Sequence, residues 1–259
     1  RRPVFAISCS ITASDADQLP PVGAGNVLAD LIASDLLPVV RLDTVFRQAM
    51  HSLIVTNAHR IVRGEAPVLD RKDGDFFLME RPNAFLAART IAELYCKRLP
   101  DAYGYSPQTD IQVLCPSKKG EAGSVHLNKI LQELVNPPSD EKKELSTGFR
   151  TFRLGDKVMQ TKNNYNIIWE KDNGETGEGI FNGDIGVIEN IDIHTETAQI
   201  RFDDRSAVFA KDQLIDVELA YAITVHKSQG SEFPAVIMPV VSVLPNLRYR
   251  NLLYTAVTR

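Results

Sequence analysis

The 259-residue sequence contains no G-x-x-x-x-G-K-[ST] string, so it has no glycine-rich loop of the kind that cradles a triphosphate. Gly23-Ala-Gly25 is too short for one, and no Lys-Ser/Thr follows it. Cysteine is scarce. Cys9, Cys96 and Cys115 are odd in number and far apart, and they form neither a C-x-x-C pair nor a cluster with histidines. That argues against a zinc site or disulfide framework and for buried thiols in a reducing cytoplasm. No apolar run approaches the roughly 20 residues that a membrane-crossing helix needs. The opening Arg-Arg-Pro-Val-Phe-Ala-Ile-Ser-Cys-Ser sets two arginines before an apolar run, but that run is short and holds Ser8 and Ser10, so it reads as a buried strand rather than a signal peptide. Positive charge is not in excess: 29 Lys+Arg against 33 Asp+Glu leave a net −4, which excludes a globally basic nucleic-acid binder but not a local basic patch. There is no internal repeat.

What remains is an ordinary globular composition, 44% hydrophobic and 24% charged, in a chain long enough for one large domain or two small ones. Val, Ile and Thr over residues 4–13 predict a strand. Asn26–Ser34 predicts a helix after the Gly23/Gly25 turn. Asp43 is the expected N-cap of a helix from Thr44 to about Arg63, with Val45, Phe46, Ala49, Leu53 and Ile54 on one stripe and Gly64 as the stop. Phe76–Met79 predicts a short strand, and Asn83–Arg98 an amphipathic helix ended by Pro100. Ile111–Cys115, a loop, and a helix over Ser124–Val135 give the strand–loop–helix alternation of a parallel α/β layer. Pro137–Ser146 predicts a mobile loop. Residues 154–217 then lose helical periodicity. Short β runs at Gly186–Ile193, Ala198–Phe202 and Ala207–Ala210 alternate with turn signals such as Asp172-Asn-Gly and Asn182-Gly-Asp. Because Glu218–Ile223 returns to the buried-strand pattern, this compact all-β unit is expected to be an insertion into the α/β layer.

Several polar strings stand out. Thr224-Val-His-Lys-Ser-Gln-Gly-Ser-Glu-Phe233 is packed with hydrogen-bonding side chains between an apolar run and a β-rich one, and Tyr254-Thr-Ala-Val-Thr-Arg259 is helix-like and ends on arginine. Residues 224–259 carry Lys227, Arg248, Arg250 and Arg259 against Glu232, four charges less one, or +3. That permits a phosphate-facing surface, and a solvated helix face gives the same count. Asp15-Ala-Asp-Gln18 precedes Leu-Pro-Pro-Val-Gly-Ala-Gly25. Alone it reads equally as a turn capped by Asp. Arg47 in Val45-Phe-Arg-Gln48 reads alone as a surface arginine. Lys118 and Lys119 follow the Ile111–Cys115 strand, where such folds bind ligands, yet a solvated lysine pair fits as well. Asn163, Asn164 and Tyr165 can offer polar and stacking contacts, and also fit an ordinary turn.

Taken in this order, the 15–25, 224–233 and 254–259 strings resemble the motifs of superfamily 1 nucleic-acid helicases, specifically the RecD-like helicases related to the exodeoxyribonuclease V alpha subunit. Ser14 stands where that family usually has glycine. The resemblance runs from about Asp15 to Arg259. It implies an α/β fold: a RecA-like parallel-sheet motor domain with an inserted, Src-homology-3-like barrel. The implied division is 1–42 as a remnant of a first motor domain, 43–162 with 216–259 as the second, and 163–215 as the barrel. It implies ATP-driven, 5′-to-3′ movement on single-stranded DNA and duplex unwinding. Gln18, Arg47 and Arg259 would sense the γ-phosphate, Arg259 as an arginine finger, and Glu232 would reach the nucleotide. Thr224, His226, Lys227, Lys118, Asn164 and Tyr165 would face the DNA. ATP and Mg2+ are the implied cofactors, with the Mg2+ ligands elsewhere. Implied partners are single-stranded DNA, duplex junctions, an N-terminal motor domain in cis, and nuclease or helicase subunits, with no membrane. The chain is expected to be part of a motor and, by itself, not to hydrolyse ATP. Two alternatives remain open: a non-catalytic single-strand-binding or protein-docking module, and the helicase half of a conjugative relaxase.

Overall fold

The computed structural model describes residues 15–20, 25–40, 51–71, 73–148, 150–241 and 243–259. The strand expected over 4–13, Cys9, and Arg47 with its neighbours lie outside the described residues.

Helix α1 (Val27–Ala33) starts where Asn26 accepts the Ala29 N–H, and none of its residues is buried. Helix α2 (Leu53–Val62) begins later than the Thr44 start expected for it. Its N-cap is Ser52, whose hydroxyl accepts the Val55 N–H, and the Asp75 carboxylate accepts the Leu53 and Ile54 N–H groups at 2.8 and 3.2 Å. A distant carboxylate thus completes the cap, a contact invisible to local pattern. Phe76–Met79, expected as a strand, joins no sheet; Phe77 and Leu78 are both exposed, so neither face of the segment is fully covered. Helix α3 (Ala84–Glu93), capped by Asn83, passes through a π-turn (Leu94–Arg98) into α4 (Leu99–Tyr103). Pro100 therefore does not end the helix. It sits in the first turn of α4, where its missing N–H is tolerated after the register shift, and Gly104 at φ 72° is the stop.

Strand β1 (Ile111–Cys115) is buried on both faces and leads to α5 (Ser124–Val135). Residues 144–146, expected within a mobile loop, form β2 (Glu144–Ser146), paired with β3 (Thr151–Arg153), because Leu145 is buried in an apolar core. Then come β4 (Lys157–Gln160), β5 (Asn164–Lys171), β6 (Thr176–Ile180), β7 (Ile185–Asp192), β8 (Thr197–Phe202), β9 (Arg205–Ala210) and β10 (Val217–Leu219). They make one antiparallel sheet in the order β10-β4-β7-β8-β9-β5-β6. Alternating residues such as Val158, Ile188, Ile200, Phe202, Phe209 and Val217 close a core belonging to this unit alone.

Strand β11 (Ala222–Thr224) and strand β12 (Ala235–Ile237) flank β1 in a parallel sheet, β11-β1-β12, and α6 (Arg250–Val257) follows. Ile111, Val113 and Cys115 pack with α3 and α5 on one face. On the other face, Leu114 packs with Leu19, Val225 and the α6 residues Leu252 and Ala256. The molecule is thus a mixed α/β fold with an all-β insertion. Glu218–Ile223, expected as one strand, is split between the sheets: Val217–Leu219 pairs with β4, and Ala222–Thr224 with β1. Side-chain amides hold the crossing. Gln112 Nε2 donates to the Ala220 and Tyr221 carbonyls, and Asn128 brackets Ala222 through both its N–H and its C=O. Among the described residues no helix is long and apolar enough to cross a membrane.

Candidate functional site

Three segments far apart in sequence meet around α6. Buried Leu19 packs against its apolar face, and the Leu19 N–H donates to Thr255 Oγ1 at 2.8 Å. Gln229 Nε2 donates to the Leu19 carbonyl at 2.8 Å, so the 224–233 string grips the same segment from the other side. Asn251 Nδ2 donates to the Gln18 carbonyl at 3.3 Å. The Gln18 side chain is half-buried, and its amide donates to Asp15 Oδ2 at 3.2 Å. The same oxygen accepts the Tyr254 hydroxyl at 2.8 Å. Burial first and the Asp15 carboxylate second push the Tyr254 phenol well above its ordinary range, against the pull of the Arg259 charge.

Arg259 is fixed at both ends. Its Nε donates to the Thr255 carbonyl at 3.1 Å and Nη1 to the Ser231 carbonyl at 3.4 Å, while its own carbonyl accepts the Phe233 N–H at 3.1 Å. Glu232 lies exposed between Ser231 and Phe233. Gln18, Glu232 and Arg259 therefore stand on segments joined by direct hydrogen bonds. Amide and guanidinium donors of this kind suit anionic oxygens. Among the described residues no group of three or more His, Cys, Asp or Glu is placed to hold a metal ion.

The 224–233 string leaves the carboxyl end of β11, where Thr224 lies beside Cys115 of β1. Val225–Ser228 is a 3-10 turn with Val225 and Ser228 buried and the Ser228 hydroxyl donating to the Val225 carbonyl at 2.8 Å. Gly230 follows at φ 87° with open space where a Cβ would stand, so glycine is required there by backbone conformation, not by crowding. His226 Nε2 lies 3.2 Å from the Tyr249 hydroxyl, and burial lowers its pKa, favouring the neutral ring. Lys227 Nζ turns toward the β unit, donating to the Thr161 carbonyl at 3.1 Å and to Asn182 Oδ1.

On the β unit, Tyr165 is 63% exposed and stands edge-on to Phe181, with ring centroids 5.7 Å apart at 71°. Asn163 Nδ2 donates to the Tyr165 hydroxyl at 3.1 Å, and Asn164 turns back to its own backbone, accepting the Asn166 N–H at 3.1 Å. Lys118 is exposed and pairs with Glu218 at 3.1 Å, as does Arg150. Beyond it, Lys118, Lys119, Gly120, Val125, His126 and Lys129 line an open basic concavity of about 270 Å³.

The strongest buried polar centre escaped sequence reading. Asp156 is fully buried and accepts from Gln132 Nε2 (2.6 Å), Asn136 Nδ2 (2.7 Å), the Arg153 N–H (2.8 Å) and the Tyr221 hydroxyl (2.9 Å). It ties α5 to the start of both sheets, and burial raises its pKa despite those donors. The only local signal was Leu154-Gly-Asp at the head of the β unit. Asn182 reads in the sequence only as part of a turn, and Phe181 carries no signal there.

Two family models match the sequence. One describes the SH3 domain of ATP-dependent RecD-like DNA helicases and matches residues 127–202; the other describes the UvrD-like helicase C-terminal domain and matches residues 219–259. The ATP-dependent RecD2 DNA helicase of Deinococcus radiodurans is 35% identical over 249 residues, 95% of this chain and 30% of that protein. The RecBCD enzyme subunit RecD of Mycolicibacterium smegmatis is 27% identical over 258 residues, 96% of this chain and 43% of that one. The chain thus spans less than half the length of these relatives. A solved Pif1 helicase from Bacteroides, in complex with ADP-AlF3 and ssDNA, is 18% identical with a TM-score of 0.49, covering 94% of this chain and 58% of that one. The chain thus carries, in this order, a match to the SH3 domain of ATP-dependent RecD-like DNA helicases and a match to the UvrD-like helicase C-terminal domain, and along nearly all of its length it is similar to RecD2 and RecD proteins.

Proposed function

We propose that the chain supplies one wall of an ATP cleft and part of the strand grip of a DNA helicase. The observation that carries this reading is the hydrogen-bonded junction of the Asp15–Leu19, Gln229–Phe233 and Tyr254–Arg259 segments. In this reading Gln18 and Arg259 offer donors to the terminal phosphate, Glu232 meets the sugar, and Arg47 joins them from outside the described residues. ATP with Mg2+ supplies the driving free energy. The phosphate loop and Mg2+ ligands come from another lobe, because the sequence holds no such loop. Residues 43–162 with 216–259 act as the motor domain and 163–215 as the inserted barrel, with β4 and β10 as the seam where the sheets meet.

The strand path runs past Thr224 and His226 at the carboxyl end of β11, past Lys118, and over Asn164 and Tyr165. Movement is 5′ to 3′, on single strands and at duplex junctions, in the cytoplasm. The names of the relatives also support assembly with nuclease and helicase subunits, since one of them is a RecBCD subunit. Fluorescence anisotropy with labelled oligothymidylate tests the strand grip. The chain should bind, log K should fall linearly with log[salt], and Tyr165→Ala should weaken binding about tenfold, within the range of one stacked base. Absence of salt-dependent binding, or a Tyr165→Ala variant that binds like the parent, would sink it.

A further inference from the structure

We propose that Lys227 is a positioning residue that clamps the 224–233 turn to the β unit, and that it is not a phosphate ligand. An ammonium has three donors and no acceptor. Two of the donors of Lys227 are engaged across the boundary between the parallel sheet and the antiparallel one, on the Thr161 carbonyl and on Asn182 Oδ1. Thr161 is itself held by the Asp216 carbonyl through its N–H at 2.7 Å and its hydroxyl at 2.8 Å. The approach is close on the backbone side as well: a Cβ on Gly183, at φ 102°, would lie 3.9 Å from the Lys227 carbonyl.

From Asn182 the contacts continue outward. The Asn182 N–H donates to Asn163 Oδ1 at 2.9 Å, Asn163 Nδ2 donates to the Tyr165 hydroxyl at 3.1 Å, and the Tyr165 ring rests on Phe181. One relay therefore runs from the turn, through Lys227, Asn182 and Asn163, to an exposed aromatic ring. Only one donor of Lys227 is left over, and turning the ammonium wholly toward a phosphate would break both of these ties and free Asn182. A shift of the turn passes instead to Tyr165, so the two parts of the grip move together. The mechanical part stands on these contacts alone. The role in gripping nucleic acid rests on the function proposed above.

Hydrogen exchange on the 259-residue chain, together with oligothymidylate binding over a range of salt, tests the clamp. Lys227→Met and Asn182→Ala should each raise exchange about five- to tenfold in both 181–184 and 225–231, as expected for a lost tie worth about 1 kcal/mol. The double variant should show no further rise. Lys227→Arg, which keeps donors, should restore protection. Lys227→Met should weaken oligonucleotide binding while leaving the slope of log K against log[salt] unchanged. If that slope instead falls by about 1, as for a lost phosphate contact, with 181–184 still protected, the proposal is overturned. If the parent chain binds no oligonucleotide, the strand-grip reading fails, and the exchange data still decide the clamp.

Discussion

Lys157 illustrates what single residues tolerate at the boundary between the two sheets. It is 2% exposed, donates to the Ile111 carbonyl at 3.1 Å, and has its ammonium 5.9 Å from the centre of the Phe233 ring. Burial lowers its pKa from 10.5 to about 8, with the Asp110 carboxylate opposing. The folded state therefore loses this proton earlier than the unfolded chain. Below pH 8 both states are charged and the burial penalty is present in full. Between about 8 and 10.5 the unfolded state binds more protons, so stability from this group should rise with pH, by about 3 kcal/mol in total. Lys157→Met should flatten that rise and match or exceed the parent in stability at pH 7. Urea unfolding at pH 7 and pH 10 reads both effects, and an equal pH dependence in the two proteins would refute the assignment. The neighbouring Asp156 teaches a complementary lesson. A glycine-aspartate pair reads locally as a turn, whereas its four donors come from α5, from Arg153 and from Tyr221, which only the fold assembles.

At the scale of elements, the close approach of strands sets limits that a sequence pattern only hints at. On β7, a Cβ at Gly186 would stand 2.4 Å from the Arg201 carbonyl of β8. At Gly230 nothing lies within 4 Å, and only the φ of 87° resists a side chain. Gly186→Ala should therefore cost about 3 kcal/mol or more by forcing β7 and β8 apart, and Gly230→Ala only about 1 kcal/mol. Thermal unfolding separates the two, and similar losses would contradict this packing. Periodicity located most of the elements. β1 and α5 stand where the apolar run and the stripe put them, and β7–β9 follow the alternation between turn signals. It failed where a distant group decides the outcome. Asp75 caps α2 at Ser52, a π-turn makes room for Pro100, and the Gln112 and Asn128 amides split residues 217–224 between two sheets. The motif strings of the site were legible because each is local. Their mutual contacts and the relay through Asn182 were not, since they join residues up to 239 positions apart.

At the scale of the whole molecule, the proposed motor role requires two distant segments of the chain to serve one nucleotide. Leu19 is bonded to Thr255, and Asp15 to Tyr254, one turn of helix before Arg259. The most direct measurement is single-strand-stimulated ATP hydrolysis by a motor in which this chain is joined to a lobe bearing the phosphate loop, with and without Arg259→Ala. If Arg259 stabilises charge on the transferring phosphoryl group, kcat should fall by about 10³-fold or more while single-strand affinity holds. Hydrolysis that stays within a few-fold of the parent would contradict the shared cleft.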